Sequence, residues 1–155
     1  MPAPAGKALV FLDASVWIAA AGSAQGGSAL VLEVCRGQRF AAICSQWVLL
    51  EAQRNIRAKL GPEALARFYR LLAALVAEMT LVRATSEEEV AYEDLVGAKD
   101  AHVIAAAVKG SAAYVVTLDR RHLANERVNA GGLPCTVLTP GESLASVVRG
   151  ANTRR

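Results

Sequence analysis

The chain has 155 residues, of which 54% are hydrophobic and 20% charged, a balance that excludes a disordered chain and fits one domain with a substantial core. Its net charge of +3 at pH 7 is compatible with a nucleic-acid partner but does not indicate one by itself. Cys35, Cys44 and Cys135 form no CxxC pair, which favours reduced core thiols over a zinc site or a disulfide framework.

Short apolar runs and helical patterns alternate along the chain. The apolar runs predict buried strands at residues 8–12, 40–44, 80–83, 113–118 and 135–138. Helical spacing and capping residues predict helices that begin near Ala14, Ser28, Ser45, Pro62, Ser86, Asp100 and Pro140. The spacing of Ser86 and Glu89 is typical of a capping box.

This alternation predicts a single α/β domain over residues 1–155, in which helices cover both faces of a central parallel sheet in three layers. Residues 1–7 read as a lead-in, and the core is expected at residues 8–149. The basic residues 150–155 are expected to form a frayed tail.

The N-terminal stretch superficially resembles a signal peptide, because Lys7 precedes apolar residues and a group of small residues at 21–24. Asp13 lies in the middle of that apolar region, where a charge opposes membrane insertion. No uninterrupted apolar run approaches the roughly 18 residues of a transmembrane helix. We therefore expect a cytoplasmic protein that does not enter a membrane.

Three of the four aspartates lie where a predicted strand or loop meets the next element. Asp13 follows the first strand, Asp100 opens a helix, and Asp119 follows the strand at 113–118. In a parallel sheet these places converge on the edge formed by the carboxyl ends of the strands. Each aspartate alone is more often a helix cap or a turn residue, but together their carboxylates would repel one another unless a cation or shared protons held them. The set therefore indicates a metal site.

Other polar residues remain ambiguous from the pattern alone. Glu51 lies at the rim of an apolar helix face, where a solvated acid and a metal ligand are both plausible. We interpret His102 as a hydrogen-bonded structural residue and His122 as a solvated loop residue. Trp17 and Trp47 are expected in the core or at a dimer contact.

Four segments together resemble one family: LVFLDASVWIAA, SQWVLLEAQRN, KDAHVIAAAVKGSAAYVVTLD and RRHL. They are similar, in the same order and over roughly residues 8–140, to the PIN-domain ribonucleases. Many of those are the toxins of VapC-type toxin–antitoxin pairs. The resemblance implies a set of catalytic acids that holds Mg²⁺ or Mn²⁺, formed by Asp13, Glu51, Asp100 and Asp119.

The same resemblance assigns supporting roles. Ser15 and Thr117 match hydroxyl positions beside the first and last acids, and Asp94 is a candidate substitute or outer partner. The turn at residues 97–99 departs from the proline-rich loop often found before the third acid. The fourth acid is the least uniform in the family, so Asp119 is the least certain ligand.

The implied chemistry is hydrolysis of RNA phosphodiester bonds by an activated water, for which no nucleophilic side chain is needed. RNA, an antitoxin protein and a homodimer are implied by the family. Because aromatic residues are few, recognition is expected to favour shape and single-stranded loops over base stacking. The candidate phosphate contacts are Arg54, Arg57, Arg120 and Arg121.

Two other functions compete with this one. A PIN-like module that binds RNA or protein without cutting would keep the repulsion of an idle acidic cluster. A phosphotransfer domain of the haloacid-dehalogenase type would need a second aspartate where Ser15 stands. A receiver domain would need a phosphoacceptor aspartate at the end of a central strand, and the second strand ends in Cys44 and Ser45.

Overall fold

A parallel five-stranded sheet forms the centre of the computed structural model, which describes the backbone of residues 7–153 and the side chains of residues 7–149. Its strands are β1 (Ala8–Leu12), β2 (Phe40–Cys44), β3 (Thr80–Leu81), β4 (Tyr114–Val116) and β5 (Thr136–Leu138). Their order is β3-β2-β1-β4-β5, so the sheet winds in opposite directions from β1. The carboxyl ends of β1 and β4 therefore flank a topological switch point, where α/β proteins bind ligands.

Helices connect the strands and cover the sheet, which confirms the predicted α/β fold. They are α1 (Ala14–Gly22), α2 (Gly27–Arg36), α3 (Gln46–Lys59), α4 (Pro62–Leu75), α5 (Ser86–Val90), α6 (Glu93–Val96), α7 (Ala101–Lys109), α8 (Glu126–Asn129) and α9 (Pro140–Thr153). α1 packs against α2, α3 and α4, whereas α7 packs against α5, β2 and β4. α9 includes residues 150–153, which the sequence assigned to the tail, and residues 1–6 and 154–155 lie outside the described part.

The core is built from the apolar residues of the sheet and of the inward faces of the helices. Trp17 is fully buried and its ring meets Phe68 edge to face, with 5.9 Å between the ring centroids. All three cysteines are buried and unpaired, as predicted. Burial raises the pKa of the Cys35 and Cys44 thiols to about 12, which keeps them protonated and unreactive.

Four local predictions were wrong in detail. The strands at 80–83 and 113–118 end at Leu81 and Val116, and the last strand begins at Thr136 rather than at residue 135. The amide of Leu118 bonds to a side-chain hydroxyl instead of a neighbouring strand, which ends β4 early. The capping box is formed by Thr85 and Glu88, one residue before the predicted pair.

Among the described residues, no single helix is long and apolar enough to cross a membrane. The bent pair α1 and α2 reaches the required length and hydropathy, but most of its apolar residues belong to the core.

Candidate metal centre

Asp13 ends β1 and caps α1 at the carboxyl edge of the sheet. Its side chain is 8% exposed, and its backbone amide donates to the carbonyl of Val116 at 3.1 Å, so the strand end of β4 lies beside it. The Oδ1 atom accepts a hydrogen bond from the Ala14 amide at 2.8 Å, which is the helix-capping role expected of a single aspartate at this position. Capping engages only one carboxylate oxygen, and Oδ2 faces the hydroxyls of the neighbouring loop.

Two hydroxyl groups connect Asp13 to the loop after β4. Thr117 is fully buried, and its Oγ1 donates to Asp13 Oδ2 at 2.6 Å while accepting the Asp119 amide at 3.1 Å. Ser15 Oγ lies 3.2 Å from the same Oδ2 atom and accepts the Leu118 amide at 3.0 Å. The hydroxyls therefore fix the backbone that carries Asp119 against the carboxylate of Asp13.

Asp100 approaches the cluster from the start of α7. Gly97 has a φ of +88°, a conformation open to glycine, and lets the chain turn after α6 into the loop that ends at Asp100. The Asp100 side chain makes no capping hydrogen bond, which leaves its oxygens available. Burial raises the pKa of this carboxyl, and the charges of Asp119 and Asp13 raise it further, against the opposing effect of Lys99 and His122.

Asp119 is held by His122, which the sequence did not single out as a site residue. Asp119 Oδ1 accepts the His122 amide at 2.9 Å, and Oδ2 lies 3.2 Å from His122 Nδ1. One ligand atom from each of Asp100, Asp119 and His122 lies within 4.8 Å of the others. The histidine side chain is 55% exposed, as expected for a loop residue, but it also orients the acid. The three-residue spacing was visible in the sequence, whereas the contact depends on the loop conformation.

Glu51 lies apart from this close group. It is half-buried on α3 and lines an open groove between α3 and the start of α7, opposite Lys99 and His102. Among the described residues, its charge is not one of those that shift the pKa of Asp100. Glu51 therefore lies on a groove that adjoins Asp100. Its role as a metal ligand stays a prediction.

The remaining predicted residues divide into two groups. Arg54 lines the groove with Glu51, and Arg120 lines a cavity with Leu118 and Pro140 on the other side of Asp119. Asp94 is exposed on α6 and does not contribute to the pKa shift of Asp100. Arg57 and Arg121 are exposed, and their predicted contacts with phosphate stay predictions.

His102 differs from its predicted role as a hydrogen-bonded residue. Its Nδ1 atom is buried and makes no hydrogen bond to any described residue. The imidazole instead packs against the indole of Trp47. A helical pattern predicts the face of the helix on which a histidine lies. It does not predict the hydrogen-bond partners of the ring nitrogens.

The donor set fits a hard divalent cation. Asp100 and Asp119 belong to the close group, and Asp13 is connected to the backbone of Asp119 through Thr117. Burial, together with the charges of Asp119 and Asp13, raises the pKa of Asp100. Mg²⁺ and Mn²⁺ prefer oxygen ligands and retain several waters, so a few carboxylates suffice. His122 contacts Asp119 through a hydrogen bond, which would orient this carboxylate toward the cation.

A PIN-domain family model matches residues 9–121, which span β1 to the loop after β4 and include all four predicted acids. The chain therefore belongs to the PIN-domain family, whose members are generally nucleases. A comparison with curated protein sequences found no match.

Two solved structures share the fold. PAE2754 from Pyrobaculum aerophilum is 19% identical, with a TM-score of 0.58 over 94% of this chain and 96% of that one. The Mycobacterium tuberculosis VapC20 toxin, described as cleaving the sarcin–ricin loop, is 18% identical, with a TM-score of 0.52 over 81% of this chain and 97% of that one. Similarity at this level of identity shows the fold alone.

Proposed function

We propose that the protein is a divalent-metal-dependent endoribonuclease whose catalytic acids are Asp13, Asp100 and Asp119, with Glu51 at the edge of the site. One observation carries this proposal: three aspartates from distant parts of the chain lie at the switch point of the sheet, where burial and the charges of Asp119 and Asp13 raise the pKa of Asp100. An arrangement of that kind destabilises the fold unless a cation offsets the repulsion.

The side chains have distinct roles in this mechanism. Bound Mg²⁺ or Mn²⁺ would orient the scissile phosphate, neutralise charge on its oxygens and lower the pKa of an attacking water. Asp13 is the rigid member, since the Ala14 amide and the Thr117 hydroxyl hold both of its oxygens. Asp119 is oriented by His122, and Asp100 presents a carboxylate without a capping bond.

Positive charges on two sides of the cluster would bind the RNA backbone. Arg54 lies on the groove beside Glu51, and Arg120 lies at the cavity beyond Leu118. Phosphate contacts supply most of the affinity of proteins for nucleic acids, and they position the strand without reading its sequence. Arg57 and Arg121 are secondary candidates for the same role.

We further propose that the nuclease is the toxin of a toxin–antitoxin pair and acts as a homodimer. This follows from the resemblance to VapC-type proteins and from the likeness in fold to VapC20. A small neighbouring gene that encodes a DNA-binding head and an acidic or amphipathic tail would support the toxin role. Its absence would favour a housekeeping nuclease.

The decisive experiment compares Asp100→Asn with wild type. Because Asp100 makes no capping hydrogen bond, the amide should leave the fold intact, whereas RNA cleavage should fall roughly a hundredfold or more. Mn²⁺ at about 100 times its dissociation constant should raise the melting temperature of wild type by about 5–10 °C and that of the variant much less.

Asp94→Asn is the matched control, because Asp94 is exposed and outside the cluster. Asp13→Asn is a second test, although it also perturbs the bond from Thr117. Cleavage retained in both Asp100→Asn and Asp13→Asn, in preparations free of contaminating nuclease, would refute the proposal. A wild-type protein with no Mn²⁺ effect and no cleavage would instead indicate a PIN-fold binding module.

A further inference from the structure

Trp47 is a large aromatic side chain that the fold leaves at the surface. It is 61% exposed, in contrast to the fully buried Trp17. Of its two predicted places, the core is therefore excluded, and a dimer contact stays a prediction. It occupies the first turn of α3, whose N-cap Ser45 accepts the Val48 amide and fixes that turn. The indole is therefore held on a rigid element while much of its surface remains open.

The environment of the indole leaves surface open to a ligand. Its only described ring contact is with His102, at 5.9 Å between the centroids and an interplanar angle of 68°. Since Trp47 is 61% exposed and lines the groove, the indole has open surface on which a planar ligand can stack. The contact with His102 also limits rotation of the indole.

The groove that Trp47 lines leads to the acidic cluster. Glu51 follows Trp47 by one helical turn, about 6 Å along the α3 axis, which is roughly the length of one nucleotide in an extended strand. Arg54 lies one turn further on the same face, and Lys99 faces them from the start of α7. The charge of Lys99 acts directly on Asp100, so this end of the groove adjoins the proposed reaction centre.

We propose that this groove is a subsite for single-stranded RNA, in which Trp47 stacks one nucleobase next to the nucleotide that is cut. Lys99 and Arg54 contact the flanking phosphates. The proposal rests on the proposed nuclease function and adds to it the residue that binds a base of the unpaired strand. It also departs from the expectation, drawn from the few aromatics, that stacking has little part in recognition.

RNA fits this groove better than an apolar protein segment does. A nucleotide needs an aromatic surface with positive charge nearby, which Trp47, Arg54 and Lys99 supply. Glu51 and Glu89 also line the groove, so the phosphate contacts are local to the two cations rather than to the groove as a whole. A duplex would not present an unstacked base to the indole. A second copy of the chain remains an outcome that the experiment separates.

The experiment measures binding of a fluorescent single-stranded oligouridine, with Ca²⁺ in place of Mn²⁺. Trp47→Ala should weaken binding about tenfold or more, the usual loss of one stacked base, and Trp47→Phe should stay within about threefold of wild type. Tyr69→Ala is the matched control, because Tyr69 is an exposed aromatic that lies on α4 rather than on the groove. Its affinity should equal that of wild type.

Two further measurements identify the contact. Since Trp17 is buried, a change in indole fluorescence on RNA binding should come from Trp47 and disappear in Trp47→Phe. An abasic site moved along the oligonucleotide should weaken binding to wild type at one position and have no effect there on Trp47→Ala.

The outcomes separate the two proposals. If wild type cuts RNA but Trp47→Ala binds oligouridine as tightly, the subsite is overturned and the nuclease proposal stands. If wild type neither binds nor cuts RNA, both proposals fail. If Trp47→Ala changes the sedimentation of the protein without changing RNA affinity, Trp47 is a contact between protomers and the subsite is overturned.

Discussion

Thr117 connects two of the three clustered aspartates through one hydroxyl group. The hydroxyl donates to Asp13 and accepts the amide of Asp119, and it is fully buried between them. A methyl group of the same size would leave a buried carboxylate oxygen and a backbone amide without these partners. The substitution would therefore lower the stability of the fold and disturb the geometry of the metal ligands.

We therefore expect Thr117→Val to weaken Mn²⁺ binding about 10- to 100-fold and to destabilise the metal-free protein by about 1–3 kcal/mol. Isothermal titration with Mn²⁺ and urea unfolding in EDTA measure the two effects. Thr117→Ser keeps the hydroxyl and should retain most of the affinity. Equal Mn²⁺ affinity in Thr117→Val and wild type would show that the hydroxyl does not position the ligands.

The residues of the centre differ in how far sequence could predict them. Asp13 and Asp119 could be found because each follows an apolar run, and the sheet brings such positions to one edge. His122 and the free ring nitrogen of His102 could not, because hydrogen-bond partners depend on side-chain rotamers and loop conformation. The sequence could not assign Glu51, since an acid at the rim of a helix face is compatible with either role.

At the scale of elements, the alternation of apolar runs and helices was enough to predict the parallel sheet. The order of the strands was not predicted, because strand pairing depends on which crossover goes to which side of β1. β4 ends early because the amides of Leu118 and Asp119 bond to the hydroxyls of Ser15 and Thr117. The centre thus shortens the strand that supports it.

The C-terminal end of α7 packs tightly on the sheet. Gly110 follows α7, and a Cβ atom there would lie 2.9 Å from Val82 Cγ2 and 3.2 Å from Ile43 Cγ2. Both neighbours are β-branched and stiff, and Ile43 is buried in β2. The absence of a side chain at Gly110 therefore lets α7, which directly follows Asp100, pack this closely on the sheet.

We expect Gly110→Ala to lower the free energy of unfolding by about 1–3 kcal/mol, as overpacking does, measured by urea denaturation. Gly37→Ala is a close control, because Gly37 also follows a helix and has a similar φ, −74° against −80° for Gly110. A Cβ atom at Gly37 would lie no closer than 3.4 Å to another atom. That variant should be neutral or slightly stabilising. Equal stability of the two variants would contradict the packing at α7.

For the whole molecule, the acidic centre is a local source of instability in the absence of metal. Asp100 has a raised pKa because burial and two neighbouring carboxylates disfavour its charge. Glu88 and Glu142 behave in the opposite way, since hydrogen bonds and nearby cations lower the pKa of each. Acidification should therefore remove stabilising charges at the surface while it relieves repulsion at the centre.

The contribution of Asp100 can be isolated by comparing wild type with Asp100→Asn in EDTA across pH. A carboxyl whose pKa is raised by folding holds its proton more tightly in the folded state, so its contribution is fully present below the ordinary value of 3.8 and is lost as pH rises through the folded pKa. The stability of Asp100→Asn relative to wild type should thus increase between about pH 4 and pH 7. Acids that do not interact with Asp100 cancel in this difference, which therefore reports Asp100 together with its coupling to Asp119 and Asp13. Thermal melts measure the difference in stability between Asp100→Asn and wild type, and Asp94→Asn is the control that should follow wild type. If the stability gained by Asp100→Asn shrinks as pH rises, the carboxylates do not repel one another in the metal-free protein.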